Sequence, residues 1–300
     1  MGQPVTATTR LNALGLLGLV IALWGSNWPI MKVGLTDMPP LTFAATRLSL
    51  ATFALFVIAP RQLQMPAARD IPVVLSVGLL QLFAFMMCMH LALTVVPAGR
   101  SAILAYTTPI WVVPMATLWL GERMTRTKGV AFAIGLAGVG VLFNPSAIDW
   151  SSAEVLRGNG LLLVAAAAWA ITIVHVRGRR WEATPYQLLP WQMLLGTLAT
   201  VCVAVIFEGD AVIRWSPQLT VILLYNGILA SAFCSWAFNE VARTLPATTT
   251  SLGSLGVPVV GLLASAAWLG EPLELSTVLG LLLILSAVAL LVRQEIAARA

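Results

Sequence analysis

"LWLGERM" at residues 118–124 and "AWLGEPL" at residues 267–273 both contain the tetrapeptide Trp-Leu-Gly-Glu. The two copies lie 149 positions apart in a chain of 300 residues, which is half of its length. The sequence around the motif also matches at this offset. The matching pairs include Pro97 with Pro246, Ala98 with Ala247, Pro109 with Pro258 and Thr127 with Ser276. The repeat predicts that the second half of the chain copies the fold of the first half.

The composition is too apolar for a domain surrounded by water. The chain is 59% hydrophobic and 10% charged, with a mean hydropathy of +0.91, whereas soluble domains carry about 25% charged residues. The formal net charge is +5, but the basic residues form short clusters between apolar runs, which is typical of membrane topology signals. We therefore expect a lipid bilayer around the chain and no nucleic acid as a partner.

Ten runs are long and apolar enough to cross a bilayer, which takes about 20 residues of helix. They lie near 12–33, 40–59, 71–94, 98–120, 127–143, 158–176, 185–207, 217–243, 246–269 and 276–292. With a cytoplasmic N-terminus, the loops on that side hold twelve Lys and Arg residues and the outer loops hold four. Because cytoplasmic loops collect basic residues, we predict that both termini are cytoplasmic.

Each half, residues 1–150 and residues 151–300, contains five predicted spans. Since five is odd, the second half enters the membrane from the opposite side. Glu122 is then expected at the cytoplasmic edge and Glu271 at the outer edge, with a glycine ending the helix before each of them. Inverted repeats of this kind are typical of secondary transporters, whose halves form gates around a central site. We predict an all-α membrane protein, with two inverted five-helix repeats around a central cavity.

Longer stretches of the two halves resemble a known family. "PAGRSAILAYTTPIWVVPMATLWLGERMT" at 97–125 and "PATTTSLGSLGVPVVGLLASAAWLGEPLELS" at 246–276, together with "ALWGSNWPIMKVGL" at 22–35, resemble the drug/metabolite transporter superfamily of the EamA type. The resemblance implies export of small metabolites from bacteria through the cytoplasmic membrane, and it is nearest to the amino-acid exporter branch. It also implies a central cavity lined by helices 1–4 and 6–9, with helices 5 and 10 at the periphery.

Polar and aromatic side chains within the spans are the candidates for a substrate cavity, because polar groups at membrane depth are costly elsewhere. The candidates are Trp24, Asn27, Trp28, Gln81, His90, Tyr106, Trp169, Trp236, Asn239, Ser251 and Ser254. Trp24, Asn27 and Trp28 share one helix face, although interhelical packing would also explain them. Gln81 and His90 point in opposite directions on an ideal helix, so we expect only one of them in the cavity and prefer His90.

Two charged residues and two prolines are further candidates. Arg47 either binds a substrate carboxylate or pairs with Asp37 at the outer edge. Glu240 either holds an ammonium group or a proton, or extends to the cytoplasmic interface. Pro109 and Pro258 lie at the centres of helices 4 and 9, where each removes a backbone donor. We interpret both prolines as gating hinges, with static kinks as the alternative.

These patterns favour a carrier that exports small amphipathic metabolites, with amino acids as the expected substrates. Drugs or other metabolites are the alternative within the same family. An intramembrane enzyme is disfavoured because the sequence contains no HExxH, GxSxG or paired-aspartate motif, and a channel because no selectivity motif is present. The three cysteines lie in apolar runs without metal-ligand spacing, so we expect no metal and no cofactor. The sequence leaves a monomer and a homodimer equally open.

Overall fold

The computed structural model describes residues 7–58, 63–143, 150–245 and 253–297, and within these ranges the chain is helical and contains no strand. Ten helical spans follow one another along the described chain. They are α1 (Ala7–Gly34), α2 (Pro40–Ile58), α3 (Ile71–Leu93), α4 (Ala98–Leu120), α5 (Arg126–Leu142), α6 (Ala153–Gly178), α7 (Pro185–Glu208), α8 (217–244), α9 (Gly256–Leu269) and α10 (Leu275–Ala297). The predicted all-α architecture is confirmed.

Eight of these helices are long and apolar enough to cross a membrane. The two that fall short are α5, with 17 residues, and α9, with 14 residues. The sequence predicted that the ninth span begins at residue 246, and residues 246–252 lie outside the described ranges. The short α5 is rich in small residues and packs mainly along α10, with a smaller contact to α4.

Both copies of the repeated tetrapeptide end a helix in the same way. Gly121 and Gly270 adopt left-handed conformations, with φ values of 67° and 68°, and no other described residue has a positive φ. The following backbone N–H groups of Glu122 and Glu271 reach back to the last turn of α4 and α9. A residue with a Cβ atom is strained in this conformation, so the glycine in each copy sets where its helix ends.

The helix contacts follow a pattern that relates one half of the chain to the other. The pairs α2 with α7 and α5 with α10 join equivalent helices, while α1 packs against α8 and α9, and α6 packs against α3 and α4. Each of these pairs therefore has a counterpart when the halves are exchanged. Such a pattern is what a pseudo-twofold axis between inverted repeats requires.

The α5–α10 contact depends on glycines that let the two backbones approach. A Cβ atom added to Gly138 would lie 2.9 Å from Ile284 Cγ1 and 3.1 Å from the carbonyl oxygen of Gly280. A Cβ atom on Gly280 would in turn meet Leu142 and the carbonyl oxygen of Gly138. Small residues permit this close packing between helices in a membrane.

We expect Gly138→Ala to lower the thermal midpoint of the detergent-solubilised protein, because overpacking costs about 1–3 kcal/mol of unfolding free energy. Gly140→Ala is the matched control, since a Cβ atom there meets nothing within 4 Å and alanine favours the helix. Scanning fluorimetry of the two variants beside the wild type measures the difference. Equal midpoints would contradict a tight α5–α10 contact.

Candidate functional site

A cavity of about 110 Å³ lies where α1, α2, α3, α4, α6, α7 and α8 meet. Its lining in the described chain consists of Trp24, Asn27, Trp28, Met31, Arg47, Leu48, Gln81, Leu82, Phe85, Met86, Met89, Tyr106, Trp169, Met193, Ala230, Ser231 and Ser235. Seven of the candidates predicted from sequence are in this set. They are Trp24, Asn27, Trp28, Arg47, Gln81, Tyr106 and Trp169. The lining is mostly aromatic and thioether surface with a few polar groups, as in small-molecule sites generally.

Two helices are π-helical where they face this cavity. The segments Val77–Phe85 in α3 and Tyr225–Phe233 in α8 occupy equivalent places in the two repeats. A π-turn holds an extra residue and often marks a functional site. Sequence periodicity predicted regular α-helices here. The sequence feature that marks these segments is a pair of repeat-related glycines, Gly78 and Gly227. Each lets the backbone of a neighbouring helix come within about 3 Å of where its Cβ atom would be.

The π-segment of α8 supplies backbone and side-chain acceptors to the cavity wall. Trp24 donates its indole N–H to the carbonyl oxygen of Ala230 at 2.8 Å. The hydroxyl of Ser231 donates to the carbonyl oxygen of Asn226, five residues earlier, at 2.8 Å. The α1 and α8 helices are thereby connected across the repeats at the position of the cavity.

The fourth helix of each repeat is interrupted next to its proline. In α4 the break covers Tyr106 and Thr107, between Ala98–Ala105 and Thr108–Leu120. The hydroxyls of Thr107 and Thr108 donate to the carbonyl oxygens of Leu104 and Ala105, at 2.7 and 3.0 Å. The carbonyl oxygen of Leu104 also accepts the backbone N–H of Thr107, whereas Pro109 has no N–H to offer the carbonyl oxygen of Ala105, so the Thr108 hydroxyl takes that place.

The second copy of the break is in the equivalent place. Leu255 is a turn residue between a helical pair at 253–254 and α9, and it precedes Pro258 by three residues, as Tyr106 precedes Pro109. Pro258 is buried against its neighbours. The interruption therefore recurs in both repeats, next to the two prolines that sequence analysis interpreted as hinges.

An aromatic cluster forms one wall of the cavity. The Trp169 ring meets Phe85 edge-on, with centroids 5.2 Å apart, and meets Tyr106 edge-on at 6.0 Å. Edge-to-face pairs of this kind stabilise the ring positions beyond their buried area. The wall is therefore ordered by contacts among α3, α4 and α6.

Arg47 is the charged residue of the cavity lining. Its side chain is 4% exposed; Nε donates to the hydroxyl of Ser231 at 2.8 Å and Nη1 to the sulfur of Met31 at 3.0 Å. Within the described ranges, no carboxylate lies within 4.0 Å of the guanidinium. Asp37 instead pairs with Arg214 at 3.7 Å. The predicted alternative of an Arg47–Asp37 pair is therefore wrong.

His90 is completely buried and is not part of the cavity lining. Its Nδ1 lies 2.7 Å from the carbonyl oxygen of Met86, so this nitrogen donates the bond. The imidazole also packs against the Phe43 ring, with centroids 5.5 Å apart. Of the two α3 candidates, the structure brings Gln81 to the cavity, whereas sequence analysis preferred His90.

The other candidates that the structure describes are not part of the cavity lining. Trp236 is 43% exposed and packs against Phe233. Glu240 accepts a hydrogen bond from the Tyr186 hydroxyl at 2.7 Å, which connects α8 to α7. Asn239 and Ser254 are half-buried outside the lining, and Ser251 lies outside the described residues.

The two repeated glutamates have different partners. Glu271 accepts backbone N–H groups of Ala98 and Gly99 at 2.6 and 2.9 Å, which are the first of α4. A carboxylate at a helix N-terminus satisfies orphan donors and interacts favourably with the helix dipole. Close by, the ammonium of Lys32 donates to the carbonyl oxygen of Val96 at 2.6 Å. At this end, called here the Glu271 end, α1, α4 and α9 are tied together.

Glu122 is held by two cations instead. Its carboxylate accepts from Nζ of Lys128 at 2.7 Å and from Nη2 of Arg177 at 2.9 Å. The Arg177 pair connects the turn after α4 with the end of α6. At this opposite end, called here the Glu122 end, the repeated glutamate is therefore held by ion pairs between side chains.

The Glu122 ion pairs predict a pH dependence of stability. The hydrogen bond from Lys128 holds the pKa of Glu122 below its usual value, with Arg177 acting in the same direction. Because the folded pKa is lower, the stabilisation is present above the unfolded pKa of about 4.3 and is lost as the pH falls through the folded value. We expect the wild type to have a higher thermal midpoint than Glu122→Gln at pH 7, and the difference to shrink as the pH falls below the folded pKa of Glu122.

Lys128→Met provides the test of that cause. Lys128 is the largest contributor to the lowered pKa of Glu122, so without it Glu122→Gln is expected to change the thermal midpoint less. The midpoints are measured between pH 3 and 8 for Glu122→Gln in proteins with and without Lys128→Met. A difference that persists unchanged at acidic pH would contradict an ionised Glu122 as its source.

Comparison with known proteins adds a family and several relatives. The model of the EamA-like transporter family matches residues 12–144 and 156–293. The "Probable terminal-alkyne amino-acid exporter" of Streptantibioticus cattleyicolor is 28% identical, over 87% of this chain and 86% of its own. The "Probable amino-acid metabolite efflux pump" of Salmonella typhimurium is 27% identical, over 89% and 90%. Among the solved structures with the same fold is a crystal structure that matches with a TM-score of 0.64 and 20% identity, over 95% of this chain and 99% of its own.

Proposed function

We propose that this chain, which belongs to the EamA-like transporter family, exports small amphipathic carboxylates, amino acids first among them, by alternating access across the bacterial cytoplasmic membrane. Its family and relatives are transporters and efflux pumps, and not enzymes. The observation that carries the substrate proposal is the buried Arg47 side chain in the central cavity. Its hydrogen-bond partners among the described residues are all neutral.

A substrate carboxylate is the partner that suits Arg47 best. Burying a charge is costly unless it is paired and hydrogen-bonded, and the described partners Ser231 and Met31 are neutral. A guanidinium and a carboxylate form two parallel charge-assisted hydrogen bonds. Binding of such a substrate would therefore supply the missing counter-charge at the centre of the protein.

The rest of the lining suits an apolar side chain. Tryptophan and methionine side chains of α1, α3, α6 and α7 line the same cavity as Arg47, and thioethers adapt to ligands of different shape. The faces of Trp28 and Trp169 can also stabilise an ammonium group by cation–π contact. An amino acid with an apolar side chain combines these features. Two relatives whose names mention amino acids support the same substrate class.

The distribution of basic residues supports an orientation in which the Glu122 end of the bundle faces the cytoplasm. The Glu122 end carries Arg123, Arg126, Lys128, Arg177, Arg179 and Arg180 in its loops and helix ends. By the positive-inside rule this end is expected to face the cytoplasm, together with the N- and C-termini. The Glu271 end then faces outward, and the cavity alternates between the two ends during transport.

Release from proteoliposomes tests the proposal. Vesicles that contain the purified protein are loaded with radiolabelled amino acids, and release is compared with that from protein-free vesicles. Saturable release of apolar amino acids is the expected result. Absence of release for every amino acid would overturn the substrate class.

One matched pair of variants tests the cavity. Trp169→Leu removes the ring that contacts Phe85 and Tyr106, and we expect it to slow release by about tenfold, which corresponds to about 1.4 kcal/mol. Trp215→Leu makes the same change at a residue that is 63% exposed in the α7–α8 loop, and release is expected to stay at the wild-type rate. Equal rates for both variants, at equal folded amounts, would show that transport does not use this cavity.

A further inference from the structure

The described lining of the cavity contains one basic side chain and no acidic one. Among the cavity-lining residues, Arg47 is charged and the remaining ones are neutral. Its donors at Nε and Nη1 go to the hydroxyl of Ser231 and the sulfur of Met31, and the Ser231 hydroxyl is itself held by the carbonyl of Asn226. The cavity therefore carries one positive charge that none of its own described groups neutralises.

Three carboxylates close to the ends of helices that line the cavity are engaged elsewhere. Asp37 pairs with Arg214, Glu208 accepts backbone N–H groups of Leu41 and Thr42 at 3.1 and 2.7 Å, and Glu240 accepts from Tyr186. Each of these groups has a structural partner at an end of a helix. A ligand ammonium in the cavity would therefore find no carboxylate among the described residues that line it.

A second polar group of the cavity also lacks a partner. Asn27 is 3% exposed, lines the cavity, and its side-chain oxygen Oδ1 is buried without a hydrogen bond. A buried acceptor left unsatisfied costs about 1–3 kcal/mol, so a donor from a ligand would be stabilising there. Oδ1 of a neutral amide accepts an N–H bond and does not require the donor to be charged.

We infer that Arg47 binds the carboxylate of the substrate and that Oδ1 of Asn27 accepts one N–H group from it. A monoanionic N-acyl amino acid then binds more tightly than the free zwitterionic amino acid. The monoanion neutralises the charge of Arg47 and offers a neutral N–H donor. The zwitterion brings in an ammonium that must lose its hydration, with a neutral amide and aromatic faces as its only described partners. This inference rests on the proposed function for its substrate class, while its test measures binding alone.

Four probes with the same aromatic side chain separate the two contacts. N-acetyl-L-phenylalanine has the carboxylate and a neutral N–H, L-phenylalanine is the zwitterion, 3-phenylpropanoate lacks nitrogen, and phenethylamine lacks the carboxylate. Dissociation constants are measured at pH 7.5 on the purified full-length protein by titration calorimetry. We expect the N-acetyl compound to bind about tenfold more tightly than phenylalanine, 3-phenylpropanoate to bind between them, and phenethylamine to bind weakest. Phenylalanine binding as tightly as its N-acetyl derivative would overturn the inference.

Variants assign each contact to its residue. Arg47→Gln is expected to remove the preference for the anions over phenethylamine, and Arg47→Lys to retain it. Asn27→Leu is expected to make N-acetyl-L-phenylalanine and 3-phenylpropanoate bind equally, because the N–H acceptor is gone. If the Asn27 variant still separates these two ligands, the assignment of the N–H contact is wrong. Should a variant fail to fold, the ligand order on the wild type still decides the inference.

The outcome is distinguishable from a failure of the proposed function. Anion-selective binding without release from liposomes would retain the inference and overturn transport of these compounds. Release of amino acids together with equal binding of zwitterion and monoanion would retain the transporter and overturn the inference.

Discussion

Glu271→Gln is expected to open the Glu271 end of the bundle. The carboxylate accepts two backbone N–H groups at the start of α4, and hydrogen bonds to a charged group contribute about 1.5–3 kcal/mol each. A glutamine keeps one acceptor and loses the charge, so we expect a loss of about 2 kcal/mol, which is a shift of about thirtyfold towards the open state. Thr94 and Leu273 are both exposed at this end and can carry spin labels. Pulsed electron paramagnetic resonance then reports the opening as a longer distance between the two labels.

The labelling background needs one substitution and one control. Cys202 is exposed and is replaced by serine, whereas Cys88 and Cys234 are buried. Asp210→Asn removes a carboxylate from the exposed α7–α8 loop and is expected to leave the distance distribution unchanged. If Glu271→Gln also leaves it unchanged, the bonds between Glu271 and α4 do not hold this end closed.

Replacing both repeat-related prolines, Pro109→Ala with Pro258→Ala, is expected to slow transport by more than about tenfold while raising thermal stability. Alanine restores a backbone N–H that can bond across each helix break, and it removes the proline ring that clashes with the carbonyl one turn earlier. Straightened α4 and α9 would then resist the bending that alternating access requires. Initial rates of release from proteoliposomes and thermal midpoints in detergent measure the two effects.

Pro114→Ala is the matched control for this pair, since Pro114 lies inside the same helix but away from its break. It is expected to stabilise the protein without slowing release. Wild-type release rates in the double variant would show that the interruptions at Tyr106 and Leu255 are static kinks.

The approximate positions of the described helices and their arrangement in two repeats could be predicted from the sequence, although α1, α6 and α10 extend beyond the predicted spans. A span is decided by the length of its apolar run, and the left-handed turns at Gly121 and Gly270 depend on one residue that lacks a Cβ atom. The common face of Trp24, Asn27 and Trp28 follows from spacing within a single helix. These features are local, so neighbouring residues along the chain are sufficient to determine them.

The sequence did not predict which face of α3 points towards the cavity. Counting 100° per residue places Gln81 and His90 on opposite faces, but it does not tell which of them faces the cavity. The π-helical segment Val77–Phe85 also holds an extra residue in its turns, which changes the count. Whether such a segment forms depends on the contact of Gly78 with α7 and on the cavity that it faces, and neither is visible in the sequence of α3.

The partner of Arg47 was decided by tertiary structure alone. Sequence proximity proposed Asp37, ten positions away, whereas the fold brings in Ser231 from 184 positions away and assigns Asp37 to Arg214. The apolar runs and the internal repeat were sufficient to predict the ten helices of the described residues and their two halves, because the bilayer requires every span to be apolar and helical. Which polar groups meet at the centre depended on how the repeats pack against each other, since each contact joins residues that are far apart along the chain.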